Sequence, residues 1–388
     1  METRSFDVIV AGLGVFGAAT VRAAAGAGSR VLGLDARHPP HTLGSSHGRT
    51  RILREAYFED PRYVGLVRRS LEAWQALESA TGRSLFRTTG CLTLGPADSE
   101  ILVGSLRSAR SQDVPHERLD ATELRRRYPV ARIPEHFEGL LEHRAGVLDA
   151  EGGVAALLQA ARSEGAVLRS GVALRGWEVQ GGDPESVVVE TSAGRFRGRT
   201  LVLALGPWLG PRLGAGPDGH GYLRVTREVV HWFRAPRGTG QVDATSLPVS
   251  LWETWPGLIH YTIPDAGDGF KIGLHHHGRL VDPDGVDRDV HDEEVDRVRG
   301  FLRDHLPSAN GPLVASSVCL YTTTPDGHFL VGPHPDFRRV VVVGGGSGHG
   351  FKFAPVLGEA AARWALDDPP GGDLAFLDPR RLPPPESG

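Results

Sequence analysis

The chain has 388 residues, of which 40% are hydrophobic and 23% charged, and a formal net charge of −4. That size suits one large globular unit or two domains, and the charge balance excludes a long basic patch for nucleic acid or anionic membrane. No apolar run reaches the roughly 18 residues of a membrane span. The opening METRSFDVIV carries no separate apolar leader, and two cysteines, Cys91 and Cys319, suit a reducing cytoplasm better than a disulfide framework.

The first organised unit is FDVIVAGLGVFGAATVRAAAGAG. Residues 6–11 read as a buried parallel strand, Gly12, Gly14 and Gly17 form GxGxxG, and residues 18–27 are small and helix-prone. A second apolar run, 31–34, ends at Asp35. A strand, a glycine turn opening a helix, and a strand closing on an acid about 20 residues later make the dinucleotide-binding pattern. Gly12 permits the tight turn, Gly14 lets backbone approach a pyrophosphate, and Gly17 allows close helix–strand packing. The helix N-terminus offers free N–H groups to the anion. Asp35 would accept from ribose hydroxyls.

HTLGSSHGRTRILREAY, residues 41–57, follows with His47, Arg49, Arg51 and Arg54. It reads as a loop near the carboxyl ends of the strands, where such sheets bind ligands. Arginine there holds a carboxylate in a bidentate fork. Val64, Val67, Leu71, Trp74 and Leu77 have helical spacing over 63–77. Val154, Leu157, Leu158 and Ala161 mark another helix, and GAVLRSGVALRGWEV a strand pattern. Residues 200–204 give a third buried strand. RVVVV at 339–343 gives a fourth, leading through GGGSGHG into a helix over 354–366.

The nucleotide-binding pattern therefore recurs at the start, middle and end of the chain. Short alternating strands, several turns and three of the seven tryptophans fill the segments between. The fold class expected is α/β (α+β), with a Rossmann-like domain of residues 1–80, 146–215 and 325–388. A mixed-sheet substrate domain of residues 81–145 and 216–324 interrupts it. The tail from 367 is proline-rich and reads as largely irregular, with loose final residues. In HHH at 275–277 only His275 and His277 would share a strand face, and no acid or cysteine stands at a suitable spacing, so no metal site is expected. Among 43 Lys plus Arg only Lys271 and Lys352 are lysine. Lysine kept where arginine is used everywhere else points to sites that a guanidinium would not serve.

Taken together, GLGVFG, PPHTLGSSHGRTRILREAY, FKIGLHHHG, CLYTTTPDGHFLVGPHP and GGGSGHGFKFAP resemble the monomeric sarcosine oxidase and N-methyltryptophan oxidase family of flavin amine oxidases, over essentially the whole chain. The resemblance implies FAD rather than NAD, attached through the sulfur of Cys319 to the flavin 8α-methyl carbon. His47 and Arg51 would support attachment and flavin contact. Val15, Phe16, Ala36 and Ser45 join the first glycines and Asp35 as cofactor contacts. Leu174, Ala204, Gly206 and Trp208 contribute from the middle of the chain, and Gly346, Gly348, Gly350 and Lys352 from its end. Cys91 has no counterpart and reads as structural. GSSHGRT departs from relatives that carry a second histidine and an acid, at Ser46 and Arg49.

The same resemblance gives both lysines roles. Lys271 would face the flavin where O2 is activated, and Lys352 with Arg54 would hold a substrate carboxylate. Tyr57, Tyr261, His275 and Tyr321 would orient the substrate, with Trp252 and Trp255 in a region that shapes the pocket. The implied reaction oxidises an N-alkyl amino acid at the N-alkyl carbon, giving an aldehyde, the dealkylated amino acid and H2O2. Cyclic imino acids and glycated amino acids are alternative substrates. The partners expected are the amine and O2, in a cytoplasmic monomer or simple homo-oligomer. A flavin dehydrogenase serving a protein acceptor, a silent FAD-binding scaffold and an NAD dehydrogenase are the rivals.

Overall fold

A computed structural model describes residues 5–182, 185–213, 222–239 and 242–382. Two large sheets organise these residues. The first has parallel strands Val167–Ser170, Val31–Asp35, Ser5–Ala11, Gly194–Leu203 and Val340–Gly344 side by side. An antiparallel ribbon, Leu174–Gln180 with Ser186–Thr191, extends it. Side chains alternate between its faces: Val8 and Val10 pack beneath helices, while Ile9, Leu32, Leu201 and Leu203 form a core on the other side. Burial on both faces explains why these strands read as continuous apolar runs.

Helix Val15–Gly26 follows the first strand and packs against Ala354–Ala365 and Ala150–Ser163. The packing is close because the contact residues are small. A Cβ on Gly358 would stand 2.5 Å from the Cβ of Ala19. The helices expected over 63–77 and 354–366 run Tyr63–Thr81 and Ala354–Ala365. The single strand pattern after residue 165 is two strands, split at Gly171, whose φ is +73°.

The second sheet contains Arg224–Phe233, Phe270–His275, Leu258–Ile263, Val249–Trp255, Cys91–Pro96 and Phe137–Glu142, with Leu313–Thr323 against Arg224–Phe233. The segments expected to be strands and turns also carry three helices, Glu100–Ser111, Ala121–Arg127 and Asp292–His305. Two of them have local caps at their starts. The Asp120 carboxylate accepts the N–H of Glu123, and His291 with Glu294 forms a reciprocal capping box.

The 41–57 segment is not wholly a loop. Thr50–Leu53 is a strand, paired with Gly146–Asp149 in a small third sheet. The tail forms two short 3₁₀ turns, Gly372–Leu377 and Pro379–Arg381, rather than irregular chain. Residues 383–388, expected to be loose, lie outside the described residues. No helix among the described residues is long and apolar enough to cross a membrane.

Candidate active site

A cleft of about 1260 Å³ runs along the carboxyl edge of the first sheet to the second. One end is backbone-built. Gly12 has φ +91°, and a Cβ there would stand 2.3 Å from the carbonyl oxygen of Ala204. On Gly17 a Cβ would meet the Gly12 carbonyl oxygen at 1.8 Å, so Gly17 packs behind the turn while Gly12 and Gly14 line the cleft. The Asp35 carboxylate accepts the N–H of Leu13 at 2.7 Å and of Arg37 at 2.7 Å, fixing the acid beside the glycine turn. The Ser46 hydroxyl accepts the Val15 N–H at 3.0 Å, so this substituted position docks the 41–48 loop onto the helix N-terminus. Val15, Phe16, Ala36, Ser45, Leu174, Ala204, Gly206 and Trp208 also line the cleft.

The other end is built from side chains. Arg51, Cys319, Tyr321, Gly346, Gly348 and Gly350 line it. Gly48 is the hub: a Cβ there would lie 3.3 Å from Arg51 Nη1, 3.5 Å from Cys319 Sγ and 3.8 Å from Lys271 Nζ. Arg51 donates to the carbonyls of Ser45 and His47, bracing the loop. Lys271 donates to the Gly48 carbonyl at 2.6 Å and the Thr50 carbonyl at 2.9 Å. Burial opposes ionisation of the Cys319 thiol, but neighbouring His47, Arg51 and Lys271 outweigh it and bring the thiol down to about 7. Burial, with Arg51 adding to it, lowers Lys271 to about 7.

Beyond these lies a second cationic group. Arg54 is buried, donates from Nη2 to both Glu59 carboxylate oxygens at 3.0 and 2.8 Å, and stacks over the Tyr57 ring at 4.4 Å. Lys352 Nζ donates to the Tyr57 hydroxyl at 3.2 Å and the His349 carbonyl at 3.0 Å. The Lys352 carbonyl accepts from Trp74 Nε1 at 2.9 Å and from Ser70, so helix Tyr63–Thr81 fixes its backbone. Burial first, and then Arg54, brings Lys352 down to about 7. Burial takes His349 down to about 3 and His275 well below its ordinary value. His275 Nδ1 lies 3.3 Å from the Tyr321 hydroxyl. Gly348 sits against both rings, since a Cβ there would be 2.4 Å from Tyr321 and 2.9 Å from His275. The Tyr261 hydroxyl abuts Gly273, beside Tyr321 and Cys319.

The profile of the family described as FAD dependent oxidoreductase matches residues 7–364. The chain is 38% identical to the monomeric sarcosine oxidase of Streptomyces avermitilis, over 97% of this chain and 98% of that one. It belongs to the monomeric sarcosine oxidase and N-methyltryptophan oxidase family. An N-methyl-L-tryptophan oxidase of Yersinia pestis is 33% identical over 97% of this chain and 99% of its own. Among solved structures, NikD, an unusual amino acid oxidase essential for nikkomycin biosynthesis, superposes with a TM-score of 0.83 at 28% identity, covering 97% of this chain and 98% of that one.

The residues of this oxidoreductase fit an FAD. Ser45 Oγ, His47 Nε2 and Thr322 Oγ1 are buried at the side-chain end without protein partners, although buried polar atoms are normally paired. At the other end Gly12, Gly14 and Gly206 line the cleft with no side chain of their own, and a Cβ on Gly206 would meet only open space.

Some readings from sequence need correction. His276 lies beyond the Phe270–His275 strand with φ +59°, so strand alternation does not govern HHH; its ring packs on His275 and Tyr321. Among the described residues no group of three or more His, Cys, Asp or Glu could hold a metal. Trp252 is sealed in the core against the second sheet, beside Phe301, and Trp255 is 72% exposed, so neither lines the cleft. Sequence reasoning also passed over Glu59 and His349. Both sit within quoted motifs or a residue or two beyond, but nothing in their spacing showed that they would meet Arg54 and Tyr57.

Proposed function

We propose that this protein oxidises secondary amines of the N-alkyl amino acid type, with the substrate carboxylate held between Arg54 and Lys352. The observation that carries this reading is the meeting of those two buried cations over the Tyr57 ring, at 4.4 and 5.1 Å, next to the Gly346–Gly350 wall of the cleft. Two buried cations with a single acid, Glu59, between them favour an incoming anion. Glu59 holds the guanidinium, so a substrate carboxylate takes over or shares that partner. The same burial that keeps His275 and His349 uncharged disfavours an ammonium, so the substrate amine is held neutral with its lone pair free. Tyr57, Tyr261, His275 and Tyr321 form the surrounding wall.

In this reading residues 1–80, 146–215 and 325–388 form the FAD-binding domain and residues 81–145 and 216–324 the substrate-binding domain, with Arg54, Tyr57 and Lys352 reaching the substrate from the first and Cys319 reaching the cofactor from the second. The chemistry the cofactor supplies when bound is to take a hydride equivalent from the N-alkyl carbon and pass the electrons to O2. The oxidised substrate hydrolyses to an aldehyde and the dealkylated amino acid, and O2 leaves as H2O2. Cys319 would hold the cofactor covalently, since its lowered thiol provides the nucleophile. Lys271 would stabilise negative charge developing on oxygen. A panel of N-methyl, cyclic and glycated amino acids assayed for peroxide tests the reading. Peroxide from N-methyl amino acids is expected; turnover confined to cyclic or glycated substrates, or reduction without peroxide, would replace it.

A further inference from the structure

We propose that Glu142 is a positioning residue for the carboxylate clamp, tethering the backbone between Arg54 and Tyr57. The inference rests on the clamp proposed above. Glu142 closes the strand Phe137–Glu142 of the second sheet, opposite Cys91, and is 2% exposed. Its Oε2 accepts the backbone N–H of Glu55 at 2.7 Å and of Ala56 at 2.8 Å. Two successive amides converging on one oxygen make a backbone concavity suited to an anion. Here a side chain from a distant strand fills it.

The tethered backbone is the part of the chain that carries the clamp. Ala56, whose N–H Glu142 holds, offers its carbonyl to Arg54 Nη1 at 2.9 Å. One residue further on, the Tyr57 hydroxyl accepts from Lys352. A shift at residues 55 and 56 therefore moves Arg54 and Tyr57 relative to Lys352, whose backbone is held by Ser70 and Trp74. The Glu55 carboxylate turns away to Arg68 and Arg144, so it does not compete for these amides. The other Glu142 oxygen, Oε1, is buried and has no partner. An apolar residue would fill this space without an unpaired oxygen, so the carboxyl is kept for what Oε2 does. Glu142 hydrogen-bonds neither clamp cation and, although the Arg54 charge reaches it, acts through the loop.

The test compares Glu142→Ala and Glu142→Gln with wild type, all as holoenzymes. Propionate, a carboxylate without an amine, is titrated by flavin absorbance, and amide exchange is followed over residues 54–58. In Glu142→Ala exchange should accelerate and propionate affinity should fall about tenfold, as expected for losing amide bonds to a carboxyl oxygen. KM for the amine should follow propionate while kcat changes less. Glu142→Gln keeps an oxygen for both N–H groups and should stay within about threefold of wild type. Faster exchange with unchanged propionate affinity would reduce Glu142 to a structural anchor and overturn the proposal. If wild type itself fails to bind propionate, the clamp falls and the proposal with it; if only the Glu142→Ala change is silent, the clamp stands and Glu142 loses its part. Should Glu142→Ala not fold, Glu142→Asp, whose carboxyl is withdrawn by one methylene, carries the same expectations.

Discussion

The two ends of the cleft are made differently. At the glycine end, Gly12, Gly14 and Asp35 come from one short βαβ stretch, and the groups presented are chiefly backbone N–H groups and an acid pinned by them. At the other end, Arg51, Arg54, Lys271, Cys319 and Lys352 arrive from four separate segments, with Arg51 on the small third sheet and Lys271 and Cys319 on the second large one. There the groups are charged or ionisable side chains, and burial and mutual proximity shift Lys271, Cys319 and Lys352. A backbone-built site is sensitive to added atoms, whereas a side-chain-built site is sensitive to lost charge.

That contrast can be broken experimentally. The largest effect should come from Cys319→Ala, which should abolish covalent attachment; mass spectrometry of the acid-denatured protein reads it, and wild-type flavin that is already extractable would refute the linkage. Next, Lys271→Met should slow reoxidation by O2 by about a hundredfold, the scale of losing one stabiliser of developing charge. Anaerobic reduction should change far less, and stopped-flow traces showing equal slowing of both steps would remove the oxygen role.

Gly12→Ala probes the other end. Its positive φ and the blocking Ala204 carbonyl should lower stability by about 1–3 kcal/mol and weaken FAD retention. A melting curve like that of wild type would show that the turn is not tight. The smallest effect is a pH dependence. Lys352, lowered to about 7, is charged below that pH and neutral above it, so carboxylate affinity should be strongest on the acid side. Propionate affinity should fall about tenfold from roughly pH 6 to 8 in wild type and lose this dependence in Lys352→Met.

How much could be read in the sequence follows the same division. The βαβ unit was legible because its residues are contiguous and each glycine answers a local steric demand. The strands at 200–204 and 339–343 were legible because parallel strands buried on both faces are uniformly apolar. The helix Asp292–His305 was passed over because it buries only Val298, Phe301 and Leu302 and its start signal lies in a cap, whereas Glu100–Ser111 buries a broader face that includes Gly104, Ser105 and Ser108, small or polar residues that blur an apolar stripe. Trp252 was misplaced because a tryptophan on a strand gives no sign of which face meets the cleft. Glu59 and Glu142 carried no signal, since an acid's partners are chosen by tertiary contacts.

By itself the sequence determined the nucleotide-binding topology and, through its motifs, the family to which the chain belongs. Local sterics and burial period act over a few residues, so they are written in order along the chain. Only the tertiary structure decided that Gly48 would bring Arg51, Cys319 and Lys271 within reach of one another, and that Glu59 would occupy Arg54. Those outcomes depend on electrostatics and packing between segments far apart in the chain. Such interactions exist only once the two sheets have been brought together.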